Sequence, residues 1–271
     1  MPELPEVETV CRELSNKITG LYVLNINILN SRLRYDIPNK IEYILLNKKI
    51  KMVLRRGKNG FIVLDAGYSL HFHLGMTGKF ILTDKKYVKS KHDHLKIEFN
   101  KKITLIYNDV RKFGYINLLK KPLDIINISQ IGTEPFLLNF FKDQLFIKIK
   151  KTQRALKEVL LDQSYICGIG NIYASEILFE SKISPFKKTK KLKVSEFNKL
   201  IDSIVLILDL AVKKGGSSIK NYKKTNQDLG YFQTEFKVYN RDGQSCYDCK
   251  NLIIKIKQAG RSSFYCKQCQ K

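Results

Sequence analysis

Three observations predict an α+β chain of several domains. Residues 21–119 carry short β-rich runs separated by turn residues, and after Pro135 the texture becomes helical. Near the end stand two Cys-x-x-Cys pairs, Cys246/Cys249 and Cys266/Cys269, with sixteen residues between them. At 271 residues the chain has room for two domains, at roughly 100–200 residues each.

Each element follows from its pattern. Pro5 suits the first turn of a helix, and Val7, Val10, Cys11, Leu14 and Ile18 then recur at helical spacing. Tyr22, Leu24, Ile26 and Ile28 alternate as one face of a strand. Further β-rich runs lie at 52–54, 61–64 and 103–107, punctuated by Gly57, Gly60 and Gly67. Many short strands between turns read as a sandwich or barrel. Residues 154–161 and 172–179 read as helices flanking a turn at 164–170. Ser195 reads as the N-cap of a long helix with Phe197, Leu200, Ile201, Ile204, Leu208 and Ala211 on its apolar face, ended by Gly215-Gly216. A polar loop follows at 217–230, and the cysteine segment starts near Lys237.

The cysteine spacing fits a four-cysteine zinc ribbon. Each pair sits on a tight turn, and two turns close a tetrahedral site with no open position, so one structural Zn2+ per chain is expected. Disulfides would require an oxidising compartment, for which nothing else in the chain argues. Cys11 and Cys167 read as unligated thiols.

Composition points to the partner. Lys and Arg number 49 against 25 Asp and Glu, a formal charge of +24, which favours a polyanion, nucleic acid ahead of membrane. The longest apolar stretch, 204–212, is interrupted by Asp209 and is far shorter than the ~20 residues of a membrane span. Glu3, Glu6, Glu8 and Glu13 are wrong for a signal peptide, so a cytoplasmic location is expected.

The chain starts Met1-Pro2-Glu3. Initiator methionine is normally removed before so small a residue, which leaves a free proline nitrogen. An α-amino group titrates near pH ~8, so a neutral, nucleophilic fraction exists at physiological pH. Glu3 is tethered beside it, as a general acid/base partner should be. Without the rest of the chain, an ordinary helix start explains the same residues.

MPELPEVET at the start, RRGK at 55–58, HLGMTG at 73–78, KHDH at 91–94, DVRKFG at 109–114, GIGNIYASE at 168–176 and GRSSFYCKQCQK at 260–271 together carry a family likeness. The chain resembles the formamidopyrimidine-DNA glycosylases, bacterial enzymes that remove oxidised purines, notably 8-oxoguanine, and the likeness runs in order from end to end. A sister branch, endonuclease VIII, acts on oxidised pyrimidines and typically starts Pro-Glu-Gly-Pro-Glu. Leu4 and Glu8-Thr9 fit the purine branch better.

The resemblance implies an N-terminal β-sandwich catalytic domain with a flanking helix (1–131), a helical helix–two-turn–helix domain (132–236) and a four-cysteine zinc finger (237–271). It implies a glycosylase and abasic-site lyase that acts as a monomer on damaged double-stranded DNA. Pro2 would be the nucleophile and Glu3 its acid/base partner, supported by Glu6. Lys58 would serve β-elimination and Arg261 δ-elimination. Met76, Arg111 and Phe113 would fill the void left by the flipped nucleotide, with Arg111 also binding DNA. His92, Lys157, Asn171, Arg34 and Tyr239 would be further DNA contacts. Gln153 stands where a basic contact is expected, with Lys151 or Arg154 beside it.

On pattern alone several of these residues have plainer readings. Lys58 reads as a solvated turn lysine, Met76 and Phe113 as core, Arg111 as a surface charge beside Asp109, and Asn171 as an N-cap. A non-enzymatic zinc-ribbon DNA-binding protein also fits the charge and cysteines, but it has no need of Pro2, Glu3 and Lys58 together.

Overall fold

The structure is a computed structural model and describes residues 1–65, 67–120, 131–217 and 232–271. Two compact units emerge, one of Met1–Ser129 with Gly215–Tyr231, the other of Gln130–Lys214 with Phe232–Lys271.

The first unit is a β-sandwich with a flanking helix. Helix α1 (Leu4–Ile18) is followed by strand β1 (Val23–Ile28), the single turn α2 (Ile41–Ile44), and strands β2 (Ile50–Arg56), β3 (Asn59–Leu64), β4 (Ser69–His73), β5 (Lys79–Thr83), β6 (Asp93–Phe99), β7 (Thr104–Asn108) and β8 (Tyr115–Leu119). Two antiparallel four-stranded sheets form, in orders β1-β6-β7-β5 and β2-β3-β4-β8. One core joins them. Phe72, Ile62 and Ile116 from one sheet, and Phe80, Leu95 and Leu105 from the other, cluster with the apolar stripe Val7, Val10, Cys11, Leu14 and Ile18 of α1.

Strand β1 corrects the alternation read from sequence. Tyr22 and Leu24 are exposed, while Val23 and Ile26 are buried. A register shift between Val23 and Asn25 changes which face the odd and even residues take. Helix α1 starts at Leu4, so Pro5 stands at its second position.

The second unit holds α3 (Leu138–Lys150), α4 (Leu156–Leu161), α5 (Asn171–Glu180) and α6 (Val194–Lys213), then a hairpin of β9 (Ile254–Gln258) and β10 (Arg261–Tyr265). The helices share a core that includes Leu156, Tyr173, Phe197 and Ile204. Helix α6 starts at Val194, with Lys193 N–H donating to Glu196 Oε2 at 2.9 Å, so Ser195 lies inside the first turn and not at the cap. Its end is as expected: Gly215 takes a left-handed φ of 73°. Among the described residues no helix is long and apolar enough to cross a membrane.

Candidate active site

The start of α1 is built around one buried carboxylate. Pro2, Glu3 and Glu6 are all buried. Glu3 N–H donates to Glu6 Oε2 at 2.8 Å, while Glu6 Oε1 accepts the Ser217 N–H at 2.7 Å and the Ser217 hydroxyl at 2.9 Å. Glu6 therefore ties the backbone beside Pro2 to the first residue of the 217–230 loop. The rest of that loop, with the 217–225 segment expected to touch a flipped base, lies outside the described residues. Gly216 permits this approach: it has φ +79°, and a Cβ there would lie 2.9 Å from Glu6 Oε1 and 3.3 Å from its Cα.

Lys58 sits in the turn between β2 and β3 and is only 8% exposed, so it is not a solvated turn lysine. Arg55, from the same RRGK run, fixes that turn to α1. Its Nε donates to Glu8 at 2.6 Å and its Nη1 to the Gly57 carbonyl at 3.1 Å. Burial opposes ionisation of Glu8, but Arg55 and Arg12 outweigh it and hold the carboxyl below its usual range.

The next residue, Asn59, opens a polar and aromatic cluster. Asn59 Oδ1 accepts from His71 Nε2 at 3.0 Å and from the Tyr115 hydroxyl at 2.9 Å. The Tyr115 ring stacks on His73 at 5.5 Å between centroids. His73 Nδ1 accepts the Gly75 N–H at 3.0 Å, which leaves Nε2 as the protonated nitrogen of the neutral ring. Burial lowers the pKa of His73 to about 4, helped by the charges of Lys58 and Arg34. Burial, then His73, lowers that of His71 to about 4. His73 thus belongs to the charged group of Lys58 and Arg34, although the sequence reading did not single it out.

A pH effect follows. An unfolded chain takes up these protons near 6.5 and the folded unit only near 4, so the unfolded state binds more protons between the two values. The stability from the neutral rings is complete above pH 6.5 and is lost as pH falls towards 4. For one ring it amounts to about 3 kcal/mol. Urea unfolding at about pH 7 and about pH 4.5 should show the loss, and His71→Gln, which keeps a donor but cannot titrate, should reduce it.

Met76 lies in the turn after β4 and Arg111 and Phe113 in the turn after β7, and the two turns touch. A Cβ on Gly75 (φ +60°) would stand 2.4 Å from both Gly114 N and Phe113 C, so only glycine allows the two turns this close. Phe113 is 48% exposed and Met76 half-buried, so neither is a core residue. The guanidinium of exposed Arg111 lies 4.9 Å from the Phe113 ring centre. Asp109 shapes this turn: its Oδ1 accepts the Arg111 N–H at 3.2 Å and its Oδ2 the Gly114 N–H at 2.8 Å. His92 is half-buried, and its carbonyl accepts the Asp109 N–H at 3.0 Å. Arg34 is exposed, with its backbone N–H on the Gly114 carbonyl at 3.1 Å.

In the second unit Arg261 is exposed at the start of β10. The next carbonyl, that of Ser262, is gripped twice, by Asn171 Nδ2 at 3.0 Å and Lys157 Nζ at 2.8 Å. Lys157 also donates to Ser263 Oγ at 2.8 Å and is 2% exposed. Its ammonium is turned inward to hold the hairpin beside Arg261, whereas the sequence reading places it among the DNA contacts. Asn171 is the first residue of α5 and Gly170 the cap, so the N-cap reading is corrected. Among the described residues, Asn171 Oδ1 is buried without a hydrogen-bond partner.

Gln153 and Lys151 are exposed, while Arg154 pairs with Asp162 at 2.7 Å. Tyr239 is half-buried, its ring 5.0 Å from that of Phe264. Glu176 is a residue the sequence reading missed. Buried in α5, it accepts the N–H groups of Lys237, Val238 and Tyr239 and thereby seats the chain entering the cysteine segment.

The four cysteine sulfurs lie within 4.8 Å of one another. A tetrahedral zinc with bonds of about 2.3 Å requires sulfur separations of about 3.8 Å. Cys246 and Cys269 are 3.9 Å apart, Cys249 and Cys266 3.4 Å. Each pair sits on a turn closed by a backbone bond, Lys250 N–H to Cys246 O and Gln270 N–H to Cys266 O. The residues fit the ion, and Cys246, Cys249, Cys266 and Cys269 form the site of one structural zinc. Cys11 and Cys167 lie apart from it and are buried.

Residues 1–116 match the formamidopyrimidine-DNA glycosylase N-terminal domain, 131–223 its H2TH domain, and 243–271 the zinc finger found in FPG and IleRS. The chain belongs to the formamidopyrimidine-DNA glycosylase family. Formamidopyrimidine-DNA glycosylase of Zymomonas mobilis is 39% identical over 273 residues, and that of Rickettsia africae 40% over 275, with at least 99% of each chain covered. Two solved Lactococcus lactis structures share the fold at a TM-score of 0.92. One is a mutant protein in complex with a Fapy-dG containing DNA, 38% identical with all of both chains covered. The other is a complex with an abasic site containing DNA, 37% identical over 99% of each chain. The chain is thus a DNA-repair glycosylase of this family with a β-sandwich, an H2TH helical domain and a zinc ribbon.

Proposed function

We propose that this glycosylase excises oxidised purines, 8-oxoguanine and formamidopyrimidines, from duplex DNA and then cleaves the strand. The observation that carries this reading is the buried Pro2-Glu3 start held by Glu6, in a chain related over its full length to enzymes named for formamidopyrimidine.

The damaged nucleotide is extruded from the stack, because its reactive carbon cannot be reached inside a duplex. Removal of Met1 frees the Pro2 nitrogen. That nitrogen attacks C1′, the bond to the base breaks, and the base leaves. Glu3 protonates the opening sugar. The product is an iminium ion, an electron sink that acidifies the C2′ proton. Loss of that proton expels the 3′ phosphate, and a second elimination expels the 5′ phosphate. Lys58 serves the first elimination and Arg261 the second, each by holding a phosphate. Met76, Arg111 and Phe113 fill the space left in the stack, as apolar wedges do in bent duplexes. His92, Arg34, Asn171 and Tyr239 add backbone contacts, and Gln153 contributes at most a neutral one. Lys157 supports these contacts by holding the Ser262 carbonyl beside Arg261. The protein works as a monomer in the cytoplasm.

Product analysis on a panel of lesion duplexes tests the reading. Oxidised purines should be released faster than oxidised pyrimidines, and the cut strand should carry phosphate at both ends. Preference for pyrimidines would favour an endonuclease VIII-like activity instead.

Arg111 should read the opposite base. Cytosine left unpaired presents O2 and N3 as acceptors to its guanidinium fork, whereas adenine presents a donor. A bidentate contact discriminates by roughly 1–3 kcal/mol, about tenfold to a hundredfold in rate. 8-Oxoguanine opposite cytosine should therefore be processed faster than opposite adenine, and Arg111→Ala should flatten the difference. A mutant that kept the whole preference would pass the role to Phe113 or duplex shape.

A further inference from the structure

The outer face of the β1-β6-β7-β5 sheet carries a groove that the proposed mechanism does not use. Strands β5 and β6 both pair antiparallel with β7, so the chain leaving β5 must recross the sheet before β6 can start. Thr83 pairs with Thr104 at one end and Asp93 with Asn108 at the other, and residues 84–92 span that distance as a strap. Beneath it lies a groove of about 670 Å³. Ile81 and Ile106 line it together with Lys79, Lys85, Lys86 and Asp84.

The strap is anchored. Asp93, buried, accepts from the Tyr87 hydroxyl at 2.9 Å and the Ser90 N–H at 2.8 Å through Oδ2, and from Asn108 Nδ2 at 2.8 Å through Oδ1. With Asp93 turned inward, the strap shows solvent Lys85, Lys86, Lys89 and Lys91 against Asp84 alone. The groove also reaches His92 and Val110, the neighbour of Arg111, and so is continuous with residues assigned above to DNA.

We propose that this lysine-lined groove binds the sugar–phosphate backbone of the same duplex beyond the lesion, which extends the footprint without reading sequence. The inference rests on the DNA-repair reading given above. Anionic backbone fits an open, cationic groove better than a small ligand does, because binding then comes from counterion release and needs no enclosing walls.

The test compares a short lesion duplex with one extended by roughly two helical turns, using wild type and the triple variant Lys79→Gln/Lys85→Gln/Lys86→Gln. On the long duplex the variant should bind about tenfold more weakly at low salt, with its log–log salt slope reduced by about 2 to 3. On the short duplex the two proteins should agree in affinity and excision rate. A triple Lys→Arg variant should restore the slope. Equal slopes on the long duplex would overturn the proposal, as would an equal loss on both duplexes. So would poly-glutamate binding that the variant loses while its long-duplex binding is intact, which would assign the groove to an acidic protein. Failure of wild type to bind the short lesion duplex would instead sink the DNA-repair reading itself.

Discussion

Protein that keeps Met1 is expected to lose base excision and strand cleavage together. With Met1 in place the Pro2 nitrogen is a tertiary amide with no lone pair to offer, whereas the free secondary amine titrates near pH ~8 and is partly neutral at about pH 7. In the proposed mechanism both chemical steps pass through that nitrogen, so neither should survive. Glu3→Gln should separate them. General acid catalysis is worth about 10²- to 10⁴-fold, and base release should fall by that amount. Cleavage at a preformed abasic site should fall less, because there no base has to leave and the cyclic hemiacetal at C1′ opens to an aldehyde by itself. Intact-mass analysis of the N-terminus, with assays on lesion and abasic duplexes, checks both outcomes. Full activity with Met1 retained would refute the role of Pro2.

Loss of zinc should have the second largest effect. The ribbon's core is small: Val238, Cys246, Ile253, Phe264 and Cys266, packed on Phe179 of α5. Two of these six are zinc ligands, so without the ion little apolar burial holds the fold. Structural zinc in finger peptides is worth about 10–16 kcal/mol at neutral pH, far more than this cluster can supply. A Cys249→Ser change should therefore disorder the β9–β10 hairpin and Arg261 with it. The cores of the sandwich and the helices contain none of the four cysteines and should persist. DNA binding should fall by about a hundredfold, as expected for one or two lost charge-assisted hydrogen bonds at about 1.5–3 kcal/mol each. Circular dichroism should keep most of its signal. Full DNA binding by zinc-free protein would remove Arg261 from the account.

What the sequence made legible was local. Two Cys-x-x-Cys turns need only their own spacing to declare a ligand set. The stripe of α1 needs only helical period, and Gly215 needs only its place after the last apolar turn. What it hid depends on distant partners. Lys157 looks like a surface cation until Ser262, 105 residues further on, supplies the carbonyl it holds. Glu6 reaches Ser217 across 211 residues of sequence, a pairing no pattern announces. The β1 bulge reverses a face that alternation alone assigns wrongly. Phe113 reads as core because it is apolar beside a strand, yet the Asp109 turn leaves it exposed. His73 was visible only as part of a motif; its company of Lys58 and Arg34 comes from folding.

The most direct measurement is the site of the covalent adduct. Borohydride added while the protein processes a lesion duplex should reduce the iminium ion and fix protein to DNA. Peptide mapping of the product by mass spectrometry should place the sugar remnant on the nitrogen of Pro2, with every lysine unmodified. An adduct on Lys58 or on another lysine, with Pro2 free, would contradict the mechanism.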